Sequence, residues 1–459
     1  MPSSTATRHH SLGALGALNG PVITAADPAY DQARTVFYGG IDKRPAAIAR
    51  VANVDDVRRV IAVARDEGRE LAIRSGGHSI AGHSTTNGGI VLDLRSMARI
   101  DVDATNRTAW AETGATALQV TEAAVEQGLV VGFGDSGSVG IGGITLAGGI
   151  GFLVRKHGLT IDSVLGAEIV TADGRLLSVD ANHHPDLFWA LRGGGGNFGV
   201  VTRLKFRLHE LPHFTGGLLV LPATPETIAG FAAAALAAPE ELTTIGNVLP
   251  APPMPFLPQD VHGRLVILGM MAYAGDPTAA EQAIAPFRAL GVALADTVKP
   301  MPYTGMYPPE DPNVHPSAIG RTMFVDAVDR AGAETIYEYL SSSDALVRVA
   351  QLRALGGAAA RVPADATAYA HRSRPMLVNV AAFYNGPDDR QRRASWVAEF
   401  AAAVQPADTG AYVGFLADEG EARVHAAYPQ STWTRLSRVK AQYDPTNLFR
   451  LNQNVVPAA

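Results

Sequence analysis

A run of glycines between residues 136 and 151 constrains the fold of this chain more than any other feature of its sequence. Seven of these sixteen residues are glycine, and most of the others are aliphatic. Flexible linkers are polar, whereas this run alternates glycine with Val, Ile and Leu. Such a segment suits a backbone packed against a flat, partly apolar ligand, because glycine lets the main chain approach closely. We call residues 136–151 the glycine ladder.

Two further glycine clusters lie at residues 76–82 and 193–199. The first follows a predicted strand, and its consecutive backbone N–H groups favour an anion such as a pyrophosphate, with a plain tight turn as the alternative. The second contains the letters of the dinucleotide pattern G-x-G-x-x-G. That pattern requires a helix after it, but a strand pattern follows here, so we reject a nicotinamide-binding unit.

Hydrophobic periodicity predicts a mixture of helices and strands, an α+β fold. In the first part of the chain, predicted helices lie at residues 54–67 and 116–127. The predicted strands of this part lie at residues 70–74, 89–94, 107–112, 167–172, 176–180 and 200–208.

After residue 211 the pattern changes to an antiparallel sheet backed by helices. Thr224 and Asp276 each precede a proline, which predicts an N-cap and the first helical residue. Further helices are predicted at 334–340 and 388–404, and strands at 265–273, 322–328 and 376–384. A chain of 459 residues is too long for one comfortable core. We expect domains at residues 1–212 and 213–410, with residues 411–459 returning to the first domain.

Composition excludes several classes of protein. The formal net charge is -6, from 38 basic and 44 acidic residues without long runs, so nothing favours binding to nucleic acid or an anionic membrane. No stretch reaches the roughly 18–20 apolar residues that span a bilayer, and the first twenty residues lack an apolar core, so we expect a cytoplasmic protein. The chain has no cysteine, which excludes disulfides, thiolate metal sites and a cysteinyl cofactor link. Nothing in the sequence sets an oligomeric state.

Taken together, four ordered motifs resemble the FAD-linked oxidases of the vanillyl-alcohol oxidase and p-cresol methylhydroxylase superfamily, in its berberine bridge enzyme-like branch. The motifs are residues 74–79, the glycine ladder, residues 186–202 and residues 443–454. The resemblance covers nearly the whole chain. It implies an N-terminal FAD-binding domain of the PCMH type, a substrate domain with an antiparallel sheet over the flavin ring, and a C-terminal segment that closes the flavin site.

The resemblance also assigns residues to the cofactor. In this family the histidine matching His78 bonds to the 8α-methyl carbon of the flavin, and many members add a link from a ladder cysteine, whose place Ser136 takes here. In a cysteine-free chain this implies FAD held covalently through His78 alone; a loop histidine beside noncovalent FAD is the alternative. The resemblance implies further FAD-binding residues, which are Arg74, Ser75, Gly76, Gly77, Ser79, His83, Ser138, Gly142, Gly143, Thr145, Gly148, Gly149, Gly151, Gly199, Val200, Val201, Asn452 and Asn454. Of these, His83 is equally open to a structural role.

The implied reaction is oxidation of a small organic substrate, an alcohol, phenolic or polyketide-like metabolite, amine or sugar. Hydride passes to flavin N5, and dioxygen reoxidises the flavin to give hydrogen peroxide. A base must take the substrate proton, and Tyr412 is the first candidate, although Gly414 stands where relatives commonly carry asparagine. His371 and Tyr384 are weaker candidates, each open to a structural role. A dehydrogenase with another electron acceptor and a redox-silent flavin scaffold are the alternatives.

Two basic segments are interpreted as structural. Residues 155–157, Arg-Lys-His, are expected in a solvated turn rather than at a phosphate. His183 and His184 do not predict a metal site, because adjacent side chains at a helix start point apart and no third ligand is near in sequence.

Overall fold

The structure, a computed structural model, describes residues 12–405 and 410–459. Residues 1–11 of the expected first domain and residues 406–409 of the expected second domain lie outside the described residues. The described chain contains sheets of four, five, two and eight strands, interspersed with helices. This confirms the predicted α+β class.

The first sheet carries the first glycine cluster at one end, in the strand order β1-β2-β4-β3. Its strands are β1 (Val22–Ile23), β2 (Ala47–Arg50), β3 (Leu71–Arg74) and β4 (Ile90–Asp93), and its helices are α1 (Tyr30–Arg34) and α2 (Val54–Asp66). Strand β4 runs parallel to both β2 and β3. Asn53 caps helix α2, because its side chain accepts a hydrogen bond from Asp56 N–H. The end of β3 at Arg74 leads directly into the loop of His78.

The second sheet is antiparallel, in the order β5-β6-β10-β8-β9, and a separate pair joins β7 to β11. These strands are β5 (Ile100–Asp103), β6 (Thr108–Glu112), β7 (Leu129–Val130), β8 (Val164–Val170), β9 (Leu176–Asp180), β10 (Val200–Arg207) and β11 (His209–Glu210). The helices between them are α3 (Ala117–Val125), α4 (Ile141–Ala147), α5 (Val154–His157) and α6 (Pro185–Leu191). Thr116 and Gln119 form a reciprocal capping box at the start of α3. Helix α4 lies inside the glycine ladder.

The eight-stranded sheet, which we call the large sheet, is antiparallel, in the order β15-β12-β14-β13-β18-β19-β17, with β16 also paired to β12. Its strands are β12 (Thr215–Pro222), β13 (Leu242–Pro250), β14 (Leu265–Tyr273), β15 (Ala295–Asp296), β16 (Lys299–Pro300), β17 (Ala318–Val325), β18 (Arg348–Ala354) and β19 (Met376–Phe383). The accompanying helices are α7 (Pro225–Ala237), α8 (Pro277–Arg288), α9 (Arg330–Ser342), α10 (Ala358–Arg361) and α11 (Gly386–Val404). Thr224 and Asp276 cap α7 and α8, as the sequence predicts.

The two faces of the large sheet contact different parts of the molecule. On one face, Val378 packs in a core with Phe231 of α7 and Phe400 of α11. Its neighbour Leu377 packs on the other face with Ile150 of the glycine ladder. Adjacent residues of a strand point to opposite faces. The face of Leu377, which we call the site face, therefore meets the ladder.

The C-terminal residues pack against the first half of the chain. They contain α12 (Glu421–Ala427) and α13 (Gln430–Tyr443). Elsewhere and here, the described chain also forms short 3-10 helices at Leu12–Ala17, Thr160–Ser163, Gln259–Val261, Tyr303–Met306 and Val413–Phe415. The Lys440 ammonium, fully buried, donates to Asp444 at 2.6 Å and to the carbonyls of Asn197 at 2.7 Å and Phe449 at 2.9 Å. This anchors α13 to the third glycine cluster. No helix in the described ranges combines the length and apolar character that crossing a membrane needs.

The segment expected as a solvated turn is instead a buried helix, α5. Arg155 is 6% exposed and donates to Leu355 O at 2.5 Å and Ala238 O at 2.6 Å. His157 stacks on His209, with ring centroids 4.1 Å apart. The expectation was wrong because Nη1 and Nη2 of the buried guanidinium donate to carbonyls 200 and 83 residues away in sequence.

Candidate active site

Two of the three glycine clusters touch at Gly76 and Gly140. A Cβ on Gly76 would lie 2.2 Å from Gly140 N, and a Cβ on Gly140 would lie 2.1 Å from Gly76 N. Any side chain would clash here, so the close approach requires glycine at both positions. Ser75 fixes the same junction by donating from Oγ to Thr113 O at 2.5 Å. The first cluster is thereby held beside the ladder.

The third glycine cluster and the C-terminal segment join the other end of the ladder. Gly193 N–H donates to Leu146 O at 3.1 Å. Asn197 is 1% exposed, donates to Gln453 O at 3.2 Å and accepts from Val455 N–H at 2.9 Å. The four motifs that are scattered along the sequence are therefore joined into one structure.

His78 lies where the first cluster meets the ladder. Its Nε2 is 3.0 Å from Ser138 Oγ, and its ring stacks on Phe37 with centroids 4.1 Å apart. Burial lowers the pKa of His78 to about 4, although the charge of Glu310 and a hydrogen bond with the Ser138 backbone oppose this. The imidazole is therefore neutral near pH 7, the form in which a ring nitrogen is nucleophilic.

Ser136 and Ser138 share one carboxylate. Glu310, on the exposed loop before β17, accepts from Ser136 Oγ at 2.8 Å on one oxygen and from Ser138 Oγ on the other. The two serine hydroxyls are 3.3 Å apart. Sequence reasoning missed Glu310, because it lies 172 residues from Ser138 in a loop without a motif.

The residues around this junction fit an FAD molecule. Gly143 is exposed, and a Cβ there would meet no atom within 4 Å. The ladder and the C-terminal segment contribute buried side-chain oxygens without a hydrogen-bond partner among the described residues, namely Thr145 Oγ1, Asn452 Oδ1 and Asn454 Oδ1. Buried polar atoms are normally hydrogen-bonded, so these oxygens suit a ligand rich in hydroxyl and amide groups.

Arg74 is held by the protein backbone. Its side chain is buried and donates to Ser84 O at 3.0 Å and Ala33 O at 2.6 Å. Burial lowers the pKa of this guanidinium to about 10, although the charge of Asp93 opposes the shift. These contacts give Arg74 the role of shaping the loop that presents His78.

The other expected cofactor residues line the junction or the core beside it. Ser79 Oγ accepts from His83 N–H at 3.2 Å, and burial lowers the pKa of His83 to about 4. Gly77 has a φ of +82°. Val200 and Val201 are buried in apolar clusters. The remaining expected glycines lie in the ladder or at the end of the third cluster, at Gly142, Gly148, Gly149, Gly151 and Gly199.

Tyr412 lies against the glycine ladder. It is 2% exposed, its hydroxyl accepts from Gly149 N–H at 3.0 Å, and its ring packs edge-on to Phe415. Burial raises the pKa of Tyr412 to about 12, against the effect of the hydrogen bond from Gly149. The hydroxyl is therefore protonated near pH 7, which suits donating a hydrogen bond better than removing a proton.

The weaker candidates make contacts of a different kind. His371 Nε2 lies 3.1 Å from the carbonyls of both Ala426 and Ala427, which favours a role in fastening the C-terminal segment. Tyr384 lies over Gly40, where a Cβ would be 1.8 Å from the tyrosine hydroxyl.

His183 and His184 also have protein partners. His183 Nδ1 lies 2.9 Å from Asp180 Oδ1, and His184 Nδ1 lies 3.2 Å from the Tyr443 hydroxyl. In the part of the chain that the structure describes, no group of three or more His, Asp or Glu side chains is placed to hold a metal ion.

A row of amide side chains crosses the site face of the large sheet. Asn247, Gln351 and Asn379 are paired in register on β13, β18 and β19. Gln351 Nε2 donates to Asn247 Oδ1 at 2.8 Å. The next residue, Leu352, packs in the core on the helix side, so alternation puts Gln351 on the site face. We call these three residues the amide row.

Arg353 links the amide row to the residue before the ladder. It is 3% exposed, its Nε donates to Gln351 Oε1 at 2.7 Å and its Nη2 donates to Asp135 Oδ2 at 2.5 Å. Its Nη1 is buried without a partner among the described residues, which fits a ligand oxygen. Sequence reasoning missed this residue. The alternation of Gln351 and Arg353 with apolar residues, which is typical of a strand with one apolar face, could have identified it.

Comparisons with known proteins agree with this arrangement. A family model described as an FAD binding domain matches residues 45–180, and one described as berberine and berberine like matches residues 411–456. The (R)-6-hydroxynicotine oxidase of Paenarthrobacter nicotinovorans is 30% identical over 457 residues, covering 96% of this chain and 97% of that protein. The xylooligosaccharide oxidase of Thermothelomyces thermophilus is 30% identical over 452 residues, covering 90% and 88%.

Solved structures give the same result. The crystal structure of 6-hydroxy-D-nicotine oxidase from Arthrobacter nicotinovorans matches with a TM-score of 0.86 at 27% identity, covering 96% of this chain and 98% of that one. The expected resemblance and fold are thereby confirmed. The chain belongs to the berberine bridge enzyme-like family of FAD-linked oxidases.

Proposed function

We propose that this oxidase carries FAD bonded through its 8α-methyl carbon to Nδ1 of His78, with no second link. The observation that carries the proposal is the 3.0 Å contact between His78 Nε2 and Ser138 Oγ, which leaves Nδ1 as the nitrogen available for a bond. Burial keeps the imidazole neutral and nucleophilic. The absence of cysteine from the sequence excludes a thioether to the flavin.

The residues that would hold the cofactor are the backbone of residues 76–79, the glycine ladder, and the buried oxygens of Thr145, Asn452 and Asn454. FAD in this position supplies the acceptor for a hydride from the substrate, and the electrons then reduce dioxygen to hydrogen peroxide. The chain supplies binding and orientation, and the cover of the large sheet limits the access of water to the site.

The substrate is proposed to lie between the ladder and the amide row. Asn247, Gln351 and Asn379 offer carboxamide donors and acceptors, and Arg353 Nη1 offers a further donor. This set suits an uncharged substrate that carries several hydroxyl or carbonyl oxygens, such as a sugar or a hydroxylated ring. Tyr412, protonated and anchored by Gly149 N–H, is proposed to orient the substrate oxygen.

The linkage is tested by precipitating the purified yellow protein with acid. The colour should remain with the wild-type chain and be released from His78→Ala, while His83→Ala should behave like the wild type. Release of FAD from the wild type, or retention by His78→Ala, would contradict the linkage. The oxidase reaction is tested separately, by screening sugars, hydroxylated aromatics and amines for anaerobic bleaching of the flavin and for peroxide release in air.

A further inference from the structure

Glu310 has no role in the function proposed so far, yet it makes specific contacts at the flavin-attachment residue. One of its oxygens accepts from Ser138 Oγ, whose oxygen is also 3.0 Å from His78 Nε2. The other oxygen accepts from Ser136 at 2.8 Å, so both carboxylate oxygens are fixed by ladder hydroxyls. The result is a continuous hydrogen-bonded series from the histidine through a serine to a carboxylate.

The direction of these hydrogen bonds determines the tautomer of His78. An ionised carboxylate only accepts, so the Ser138 hydroxyl proton points at Glu310. The Ser138 oxygen must then accept from His78, which puts the ring proton on Nε2. The lone pair is consequently on Nδ1, the nitrogen that has to form the bond.

We propose that Ser138 and Glu310 form a proton relay that promotes attachment of FAD to His78, with Glu310 acting as a positioning residue through Ser138. The inference rests on the proposed His78 linkage. The relay fixes the tautomer of the neutral imidazole. It also gives the proton on Nε2 a path through Ser138 to a carboxylate.

A bond forms between His78 Nδ1 and the 8α carbon, and one C–H bond of that methyl group breaks. Its proton goes to solvent, and the Nε2 proton moves to Ser138 as the Ser138 proton moves to Glu310. The two electrons of the broken C–H bond reduce the flavin ring, and dioxygen reoxidises it, taking two electrons and two protons to form hydrogen peroxide.

The test follows covalent attachment itself rather than turnover. Full-length protein produced under riboflavin limitation is mixed with FAD in air. Noncovalent binding is measured by quenching of flavin fluorescence, and covalent binding by the flavin that stays with acid-precipitated chain. Glu310→Gln should bind FAD with wild-type affinity, and both Glu310→Gln and Ser138→Ala should attach the bound FAD on the order of 100-fold more slowly.

Conservative variants and a neighbouring control separate the relay from a structural effect. Ser138→Thr and Glu310→Asp retain the hydroxyl and the carboxylate, and should recover most of the attachment rate. Asp311→Asn removes the adjacent carboxylate of the same loop, whose partner is Asn313, and should attach FAD as the wild type does.

Two outcomes would overturn the relay. Attachment by Glu310→Gln at the wild-type rate would remove the carboxylate from the process, and the His78 linkage would still stand. Parallel loss of noncovalent FAD binding in Glu310→Gln would show that the residue shapes the pocket instead. If the wild-type chain itself attached no flavin, the proposed linkage would fail, a result distinct from both.

Discussion

Asp135 accepts a 2.5 Å hydrogen bond from Arg353 Nη2, across 218 residues of sequence. The pair joins the residue before the glycine ladder to the site face of the large sheet. The arginine side chain is 4% exposed and the aspartate 27%, so the guanidinium depends on this carboxylate for compensation of its charge. The ion pair therefore fixes the distance between the ladder and the amide row.

Removing the carboxylate should destabilise the protein. Asp135→Asn leaves a buried guanidinium without a counter-charge, which we expect to cost about 3 kcal/mol of unfolding free energy. The double variant Asp135→Asn/Arg353→Met should recover part of the loss, because it removes both charges. Thermal melting measures both effects. Arg330→Met, which breaks exposed pairs with Glu226 and Glu334, is the control. An equal loss in the control would mean that burial is not the cause.

The contact between Gly76 and Gly140 should tolerate no side chain. Gly76→Ala puts a Cβ 2.2 Å from Gly140 N and must push the first cluster away from the ladder. We expect loss of tight FAD binding, measured by the ratio of flavin absorbance to protein absorbance. Gly16→Ala, where a Cβ meets nothing within 4 Å, should keep full loading. Wild-type loading of Gly76→Ala would show that the two loops can separate without harm.

Stability should decrease as the medium becomes acidic, in part because of His157. Burial, with the charges of His209 and Lys156, lowers its pKa to about 3 from an ordinary value of 6.5. Between these values the unfolded chain binds a proton that the folded chain does not, so stability falls as the pH drops from 6.5 toward 3. The melting temperature of His157→Gln should depend less on pH over this range. His213→Gln, at an exposed position, should show the wild-type dependence; identical pH profiles for all three proteins would argue against this role of His157.

The amide row should affect substrate turnover without affecting the cofactor. Gln351→Leu preserves the approximate size of the side chain but removes its hydrogen bonds to Asn247 and Arg353. We expect kcat/KM for the preferred substrate to fall about tenfold, the equivalent of one hydrogen bond, with covalent FAD content unchanged. Gln259→Leu, at an exposed glutamine in the same part of the chain, is the matched control. Unchanged kinetics in Gln351→Leu would place the substrate elsewhere.

Features determined by neighbouring residues could be predicted from the sequence. The caps at Thr224 and Asp276 were identifiable because each side chain accepts a hydrogen bond from the backbone N–H three residues later. Strand β14 was predicted with its observed bounds, because its apolar run is bordered by turn residues. The domain boundaries and the roles of the cofactor and substrate residues stay predictions.

Features determined by distant contacts could not be predicted in the same way. Arg155 was expected in solvent because its carbonyl partners lie far along the chain. Glu310 and Asp135 reach their partners across 172 and 218 residues, and no periodicity connects such positions. The alternation of side chains along β19 indicated two faces. Only the packing of Leu377 against the ladder shows which face meets the cofactor loops.

The bond from Val455 N–H to Asn197 Oδ1 joins residues 258 positions apart, and it has a consequence for biosynthesis. The third glycine cluster is completed by residues that the ribosome adds more than two hundred codons later. We therefore expect flavin loading to follow the synthesis of residue 455, because a nascent chain that stalls earlier lacks the C-terminal residues that bond to Asn197.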